Sequence, residues 1–198
     1  MTLPRGWSLK PLRDVVTFNP RHERTLPDTL NVSFVPMPVV STANTDLRPH
    51  STRPLGEVRK GYTHFCDGDV LFAKITPCME NGKAAVARNL VNGVGCGTTE
   101  LHVMRPCLCL TPEWLYFYVW QEPFRREAEL NMTGTAGQLR VPLTFLEAQK
   151  IPIPASIEEQ RRIIGKITRI AVCLDEVKTR LAWISTRGKR PNKSPWVR

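Results

Sequence analysis

No stretch of this 198-residue chain stays apolar for the roughly 18–20 residues that a membrane-crossing helix needs. No membrane partner is therefore expected. The opening residues, MTLPRGWSLK, lack the apolar core of an export signal, which makes the cytoplasm the expected compartment. The six cysteines, at 66, 78, 96, 107, 109 and 173, contain no CxxC pair. Their spacing suits neither a disulfide framework nor a zinc ribbon, so free, buried thiols are expected. A zinc site built from His102, Cys107 and Cys109, or from His64 and Cys66, fits ligand spacing poorly.

Catalytic signatures are missing too. There is no GxxxxGK[ST] loop for ATP, no GxSxG nucleophile elbow and no HExxH pair. Asn19-Pro20 is followed by Arg21, which breaks the Pro-Pro-aromatic pattern of a DNA methyltransferase. The GxGxG at residues 93–97 lacks the strand-then-helix setting of a dinucleotide fingerprint. Glu57, Arg59 and Lys60 lack the preceding strand-borne acid of a nuclease and read as surface charge. These absences describe a binding protein, not an enzyme, and one that needs no cofactor.

Acidic residues are also scarce, 18 against 28 Lys and Arg, for a net charge of +10. The imbalance is concentrated at one end. Residues 1–150 carry 17 basic and 14 acidic residues, whereas 151–198 carry 11 and 4. Such a chain attracts polyanions, among which nucleic acid is the commonest partner.

What is present divides near residue 150. Residues 1–150 hold 13 of the 17 prolines and read as short strands separated by turns. The stretch 32–40 (VSFVPMPVV) reads as a strand that its prolines push to a sheet edge. Residues 69–75 (DVLFAKI) read as a strand after a turn at Gly68. Residues 84–91 and 98–104 read as an antiparallel pair joined by NGVGCG. Thr111 followed by Pro112 opens a short aromatic helix over 112–121, whose rings read as core. Residues 143–149 suggest one turn of helix, and IPIP at 151–154 is extended.

A capping pair, Ser156 and Glu159, then starts a long helix. Along it Gln160, Ile163, Ile167, Ile170, Leu174, Val177, Leu181 and Ile184 recur at alternating spacings of three and four. This is an a/d seam, and it asks for a partner helix. The 28 residues from 157 to 184 would span about 42 Å. The tail, 185–198, carries five basic residues and no acid, and is expected to be mobile.

Two loops offer nucleic-acid contacts. Residues 74–83 present Lys74, Thr76, Asn81 and Lys83, suited to phosphate, guanine or adenine edges. Residues 133–140 present Thr133, Thr135, Gln138 and Arg140 beside flexible backbone amides. On composition alone either stretch could equally be a solvated loop.

Four segments together resemble a family. LPRGW at 3–7 with LRDV at 12–15, GDVLFAKITP through NGK at 68–83, GTTEL at 97–101, and IPIP through EQRRI at 151–163 resemble one half of a type I restriction–modification specificity subunit. The resemblance implies an α+β fold, with a mixed β-rich target recognition domain over 1–150 and one long coiled-coil helix over 151–184. It implies sequence-specific binding to double-stranded DNA and no catalysis by the chain itself. Methyltransferase subunits, and through them a motor–nuclease subunit, would be its partners. Family members carry two such halves and this chain carries one. The expectation is therefore an antiparallel homodimer through Ile163, Ile167, Ile170, Leu174, Val177, Leu181 and Ile184, reading a split palindrome. A helix of about 42 Å corresponds to about 12 base pairs of B-DNA. A fragment of a longer, interrupted subunit and a coiled-coil adaptor that does not bind DNA are the alternatives.

Overall fold

A computed structural model describes residues 3–42, 47, 51–135 and 137–187. The chain divides into two compact units, with the division after Gln160. The tail expected to be mobile lies outside the described residues from 188 onward, as does the side chain of Ile184.

The first unit opens with β1 (Ser8–Pro11), a single turn α1 (Leu12–Val15) and β2 (Val16–Phe18). Then come β3 (Asn31–Val35), β4 (Ser51–Pro54), the short α2 (Leu55–Val58), β5 (Thr63–Cys66) and β6 (Val70–Ala73). β7 (Ala84–Val86), β8 (Val94–Gly97) and β9 (Leu101–Pro106) complete the two larger sheets. Helices α3 (Pro112–Trp120), α4 (Glu122–Leu130) and α5 (Leu143–Ala148) follow, then β10 (Lys150–Ile153). The long helix α6 (Ile157–Arg187) begins in this unit.

One sheet has the order β2-β9-β6-β7, the second β4-β3-β8-β5, and β1 pairs with β10. The apolar run over 70–73 is explained by β6 being covered on both faces. Val70 and Phe72 point into a core shared with Leu115, Tyr116, Val119 and Phe124 of α3 and α4. Leu71 and Ala73 point the other way, into a core shared with Val35 and Phe65 of the second sheet. The outer face of the second sheet packs Val32, Phe34 and Cys96 against Leu55 and Val58 of α2. A fully buried Val or Phe contributes about 1.5–3 kcal/mol, so this layering accounts for much of the stability.

Three expectations need correction. β3 is an interior strand, flanked by β4 and β8. It stops at Val35, before Pro36 and Pro38, so neither proline removes a ladder donor. Second, β7 and β9 do not pair with each other; β6 lies between them. The glycine-rich link is itself largely a strand, β8, which runs parallel to β3 in the other sheet. Third, the thiols are not uniformly buried. Cys96 is buried, Cys66 and Cys78 are half-buried, and Cys107, Cys109 and Cys173 are exposed.

The helix starts follow their sequence signals. The Thr111 hydroxyl accepts from the Trp114 N–H at 3.3 Å, with Pro112 in the first turn of α3. Ser156 Oγ accepts from the Glu159 N–H at 3.2 Å. Tyr116 is buried in the core and Trp114, Phe117, Tyr118 and Trp120 pack against it, so the aromatics of α3 are structural. α4 was not legible as a helix separate from α3.

Candidate nucleic-acid interface

The two loops singled out by composition lie side by side. Beyond β6 the chain passes through Lys74–Thr76, and residues 139–141 run beside it, with Ile75 bridging antiparallel to Arg140. The Val141 N–H donates to the Lys74 carbonyl at 2.8 Å, and the Thr76 N–H donates to the Leu139 carbonyl at 3.0 Å. Thr133 and Arg140 exchange two backbone hydrogen bonds of 2.9 and 2.8 Å, which brings the two ends of this loop together. Gly134, at φ +132°, permits this closure, because a Cβ there would meet the Gln138 carbonyl oxygen at 2.8 Å. A third segment joins at the Lys74 N–H, which donates to the Glu100 carbonyl at 3.0 Å.

The 74–83 stretch is compact. Buried Met79 anchors it, and the Lys83 N–H returns to the Cys78 carbonyl at 3.0 Å. The Thr76 hydroxyl donates to Glu80 Oε1 at 2.9 Å, and Arg125 of α4 donates to the Glu80 carbonyl at 2.6 Å. Gly82, at φ +74°, packs against that guanidinium.

The eight predicted contact residues separate by environment. Asn81, Thr133, Thr135 and Gln138 are exposed, and Lys74 and Thr76 are half-buried. Lys83 is half-buried and its ammonium donates to the Met37 carbonyl at 3.1 Å, so part of its role is to hold the loop. Arg140 grips Glu100 with two hydrogen bonds of 2.9 and 2.8 Å, and donates to the Gln138 carbonyl at 3.1 Å. This fork leaves part of the guanidinium free to donate outward, in a fixed orientation. The Arg140 hydrogen bonds hold the Glu100 carboxyl below its ordinary range.

Sequence reasoning missed Glu100 and Arg125, which position contact groups without belonging to either loop. His102, weighed from sequence only as a poorly spaced zinc ligand, instead supports this junction. That ring is buried, and burial lowers its pKa. Its Nε2–H donates to the Val141 carbonyl at 2.8 Å, so its Nδ1 carries a lone pair with no partner among the described residues. A histidine at an alternating strand position gives no sequence sign of this bond.

The GxGxG stretch serves packing. Gly93 makes a turn at φ +68°. Gly95 and Gly97 lie in β8 under the Phe65 ring, and a Cβ on Gly97 would sit 2.6 Å from the Val35 carbonyl oxygen. Arg59 is paired with Asp28 at 2.7 Å. The ring of His64 stacks on that of His22 at 4.5 Å.

In the second unit, the seam side of α6 is apolar and open. Ile170, Leu174, Val177 and Leu181 are 61, 54, 47 and 60% exposed, Ile167 is 37% exposed and Ile163 is half-buried. Gln160, at the head of the seam, is instead fully buried within the first unit.

Comparison with known proteins places these features. The model of the type I restriction modification DNA specificity domain matches residues 4–184. The type I restriction enzyme EcoEI specificity subunit of Escherichia coli is 43% identical over 177 residues, covering 89% of this chain and 30% of that protein. The EcoAI specificity subunit of the same organism is 41% identical with the same coverage. This chain thus spans about a third of the length of these curated relatives. Among solved structures, the fold is similar to the HsdS subunit from Thermoanaerobacter tengcongensis, with a TM-score of 0.60 at 22% identity. That match covers 89% of this chain and 41% of the other. It is also similar to a chain from a study of complex assembly and conformational transition of the type I R-M system. There the TM-score is 0.64 at 21% identity, covering 94% and 44%.

Proposed function

Because the chain belongs to the type I restriction modification DNA specificity family, we propose that it is a non-catalytic DNA reader. Its first 150 residues recognise one half of a split site in duplex DNA. Residues 151–184 form the spacer, pair antiparallel with a second such helix and dock methyltransferase subunits, through which a motor–nuclease subunit joins. The observation that carries the DNA-reading surface is the hydrogen-bonded junction of residues 74–76 with 139–141. It joins the segment that starts at Lys74 and leads to Asn81 with the segment that carries Thr133, Thr135, Gln138 and the braced Arg140, which supports reading the two as one surface. Lys and hydroxyl groups would position phosphates, while Asn81, Gln138 and Arg140 have the donor patterns that read base edges.

Binding to duplex DNA over a salt series tests this reading. Affinity should fall linearly on a log–log plot. Selection from random duplexes should return one preferred half-site, and Asn81→Ala should change that preference. Salt-independent or absent binding, with and without methyltransferase subunits, would favour the adaptor reading. Methyl transfer by the purified chain alone would overturn the non-catalytic assignment.

The second helix belongs either to another copy of this chain or to the remainder of a longer subunit. The 30% coverage of the relatives keeps the second source in view.

A further inference from the structure

Gln160 heads an otherwise apolar seam, and its surroundings explain why a polar residue stands there. Its Oε1 accepts from the Thr111 N–H at 2.9 Å, and its Nε2 donates to the Cys109 carbonyl at 2.9 Å. A carboxamide offers an acceptor and a donor together, as a peptide group does, so one side chain answers the buried Thr111 N–H and the Cys109 carbonyl at once. An apolar residue of similar size would take the acceptor away from the buried Thr111 N–H. The Thr111 hydroxyl caps α3 at the same time, so the start of α3 and the first turn of α6 share one residue.

Other contacts converge on the same joint. Trp7 Nε1 donates to Glu159 Oε1 at 3.3 Å, and its ring meets Trp114 edge-on at 5.6 Å. Trp114 Nε1 donates to the Pro152 carbonyl at 2.8 Å. Gly6, at φ +84°, lies so near Ala155 that a Cβ would come within 3.2 Å of the alanine's own. Strand β1 pairs with β10 just before the helix begins. All of these residues belong to the unit that also carries the 74–83 and 133–140 loops.

We infer that Gln160 is a positioning residue that registers the first turn of α6 to the DNA-reading domain. It does not pair in the seam. On the spacer reading, loosening this joint should relax the separation at which two readers meet their half-sites. This inference rests on the spacer reading proposed above.

The test uses the full chain with methyltransferase subunits and duplexes whose half-sites are separated by a series of spacer lengths. The wild type should show one affinity optimum. Gln160→Leu should flatten it to less than about twofold variation across lengths, while affinity for a single half-site stays unchanged. Gln160→Glu keeps an acceptor for Thr111 and loses the donor to Cys109, so it should broaden the optimum to a lesser degree. Amide exchange at Thr111 should speed up in Gln160→Leu. Should Gln160→Leu fail to fold, Gln160→Glu decides the matter by its spacing profile. An unchanged optimum in a folded Gln160 variant overturns the inference and leaves the spacer intact. A wild type without any optimum overturns the spacer reading itself.

Discussion

Lys74 and Lys83 bracket the same loop with the same charge, yet their surroundings separate them. Lys83 donates to the Met37 carbonyl, whereas the Lys74 ammonium has no hydrogen bond to another of the described residues, and only its backbone helps to join the two loops. Lys74→Ala should lower the slope of log affinity against log salt by about one unit, as loss of one phosphate contact does. Lys83→Ala should also lower the urea midpoint, because a partly buried carbonyl loses its donor. Equal melting of the two variants would show that the Met37 bond carries no weight. The residue types in this loop were legible from sequence. The pairing of Arg140 with Glu100 was not, because nothing local links positions 40 residues apart.

Three histidines set an acid limit at the same scale. Burial is the leading cause that lowers the pKa of His22, His64 and His102 from the ordinary 6.5. Each donates through Nε2 to a backbone carbonyl, of Gly95, Arg59 and Val141 respectively. The unfolded chain takes up protons near pH 6.5 and the folded chain only below it. In that window the unfolded state binds more protons, so stability rises with pH and is lost progressively on acidification below 6.5. Urea midpoints measured between neutral pH and pH 5 check this, and a flat profile would contradict it.

Elements were read best where one face or both were apolar throughout. β6, α3 and the start of α6 follow their sequence signals because local propensity and burial agree there. β8 was misread because Gly95 and Gly97 suggest a flexible link until the Phe65 ring is seen above them. The glycines make room for that ring, and strand pairing to β3 and β5 supplies what their propensity lacks. Gly95→Ala should therefore destabilise the domain by about 1–3 kcal/mol through overpacking against Phe65. Pairing it with Phe65→Leu should recover part of the loss in a denaturation series. If the double variant is no more stable than Gly95→Ala, crowding by the ring is not the cause.

For the whole molecule, the open seam on α6 leads to a statement about symmetry. Ile170, Leu174, Val177 and Leu181 stand in line and about half exposed, and an apolar row of this kind marks an interaction surface. Antiparallel pairing of two identical helices creates a two-fold axis, and that axis makes the DNA site an inverted repeat. Pairing with a different helix in a longer subunit would instead join two unlike half-sites. The purified chain should sediment as a dimer that dissociates on dilution. Ile170→Asp with Leu174→Asp should convert it to a monomer that still binds a single half-site, since neither residue belongs to the loops proposed to contact DNA. Mapping methylated adenines after assembly with methyltransferase subunits should then return the same half-site twice, in opposite orientations. A monomer at all concentrations, or a site with two different halves, would assign the seam to a partner helix outside this chain.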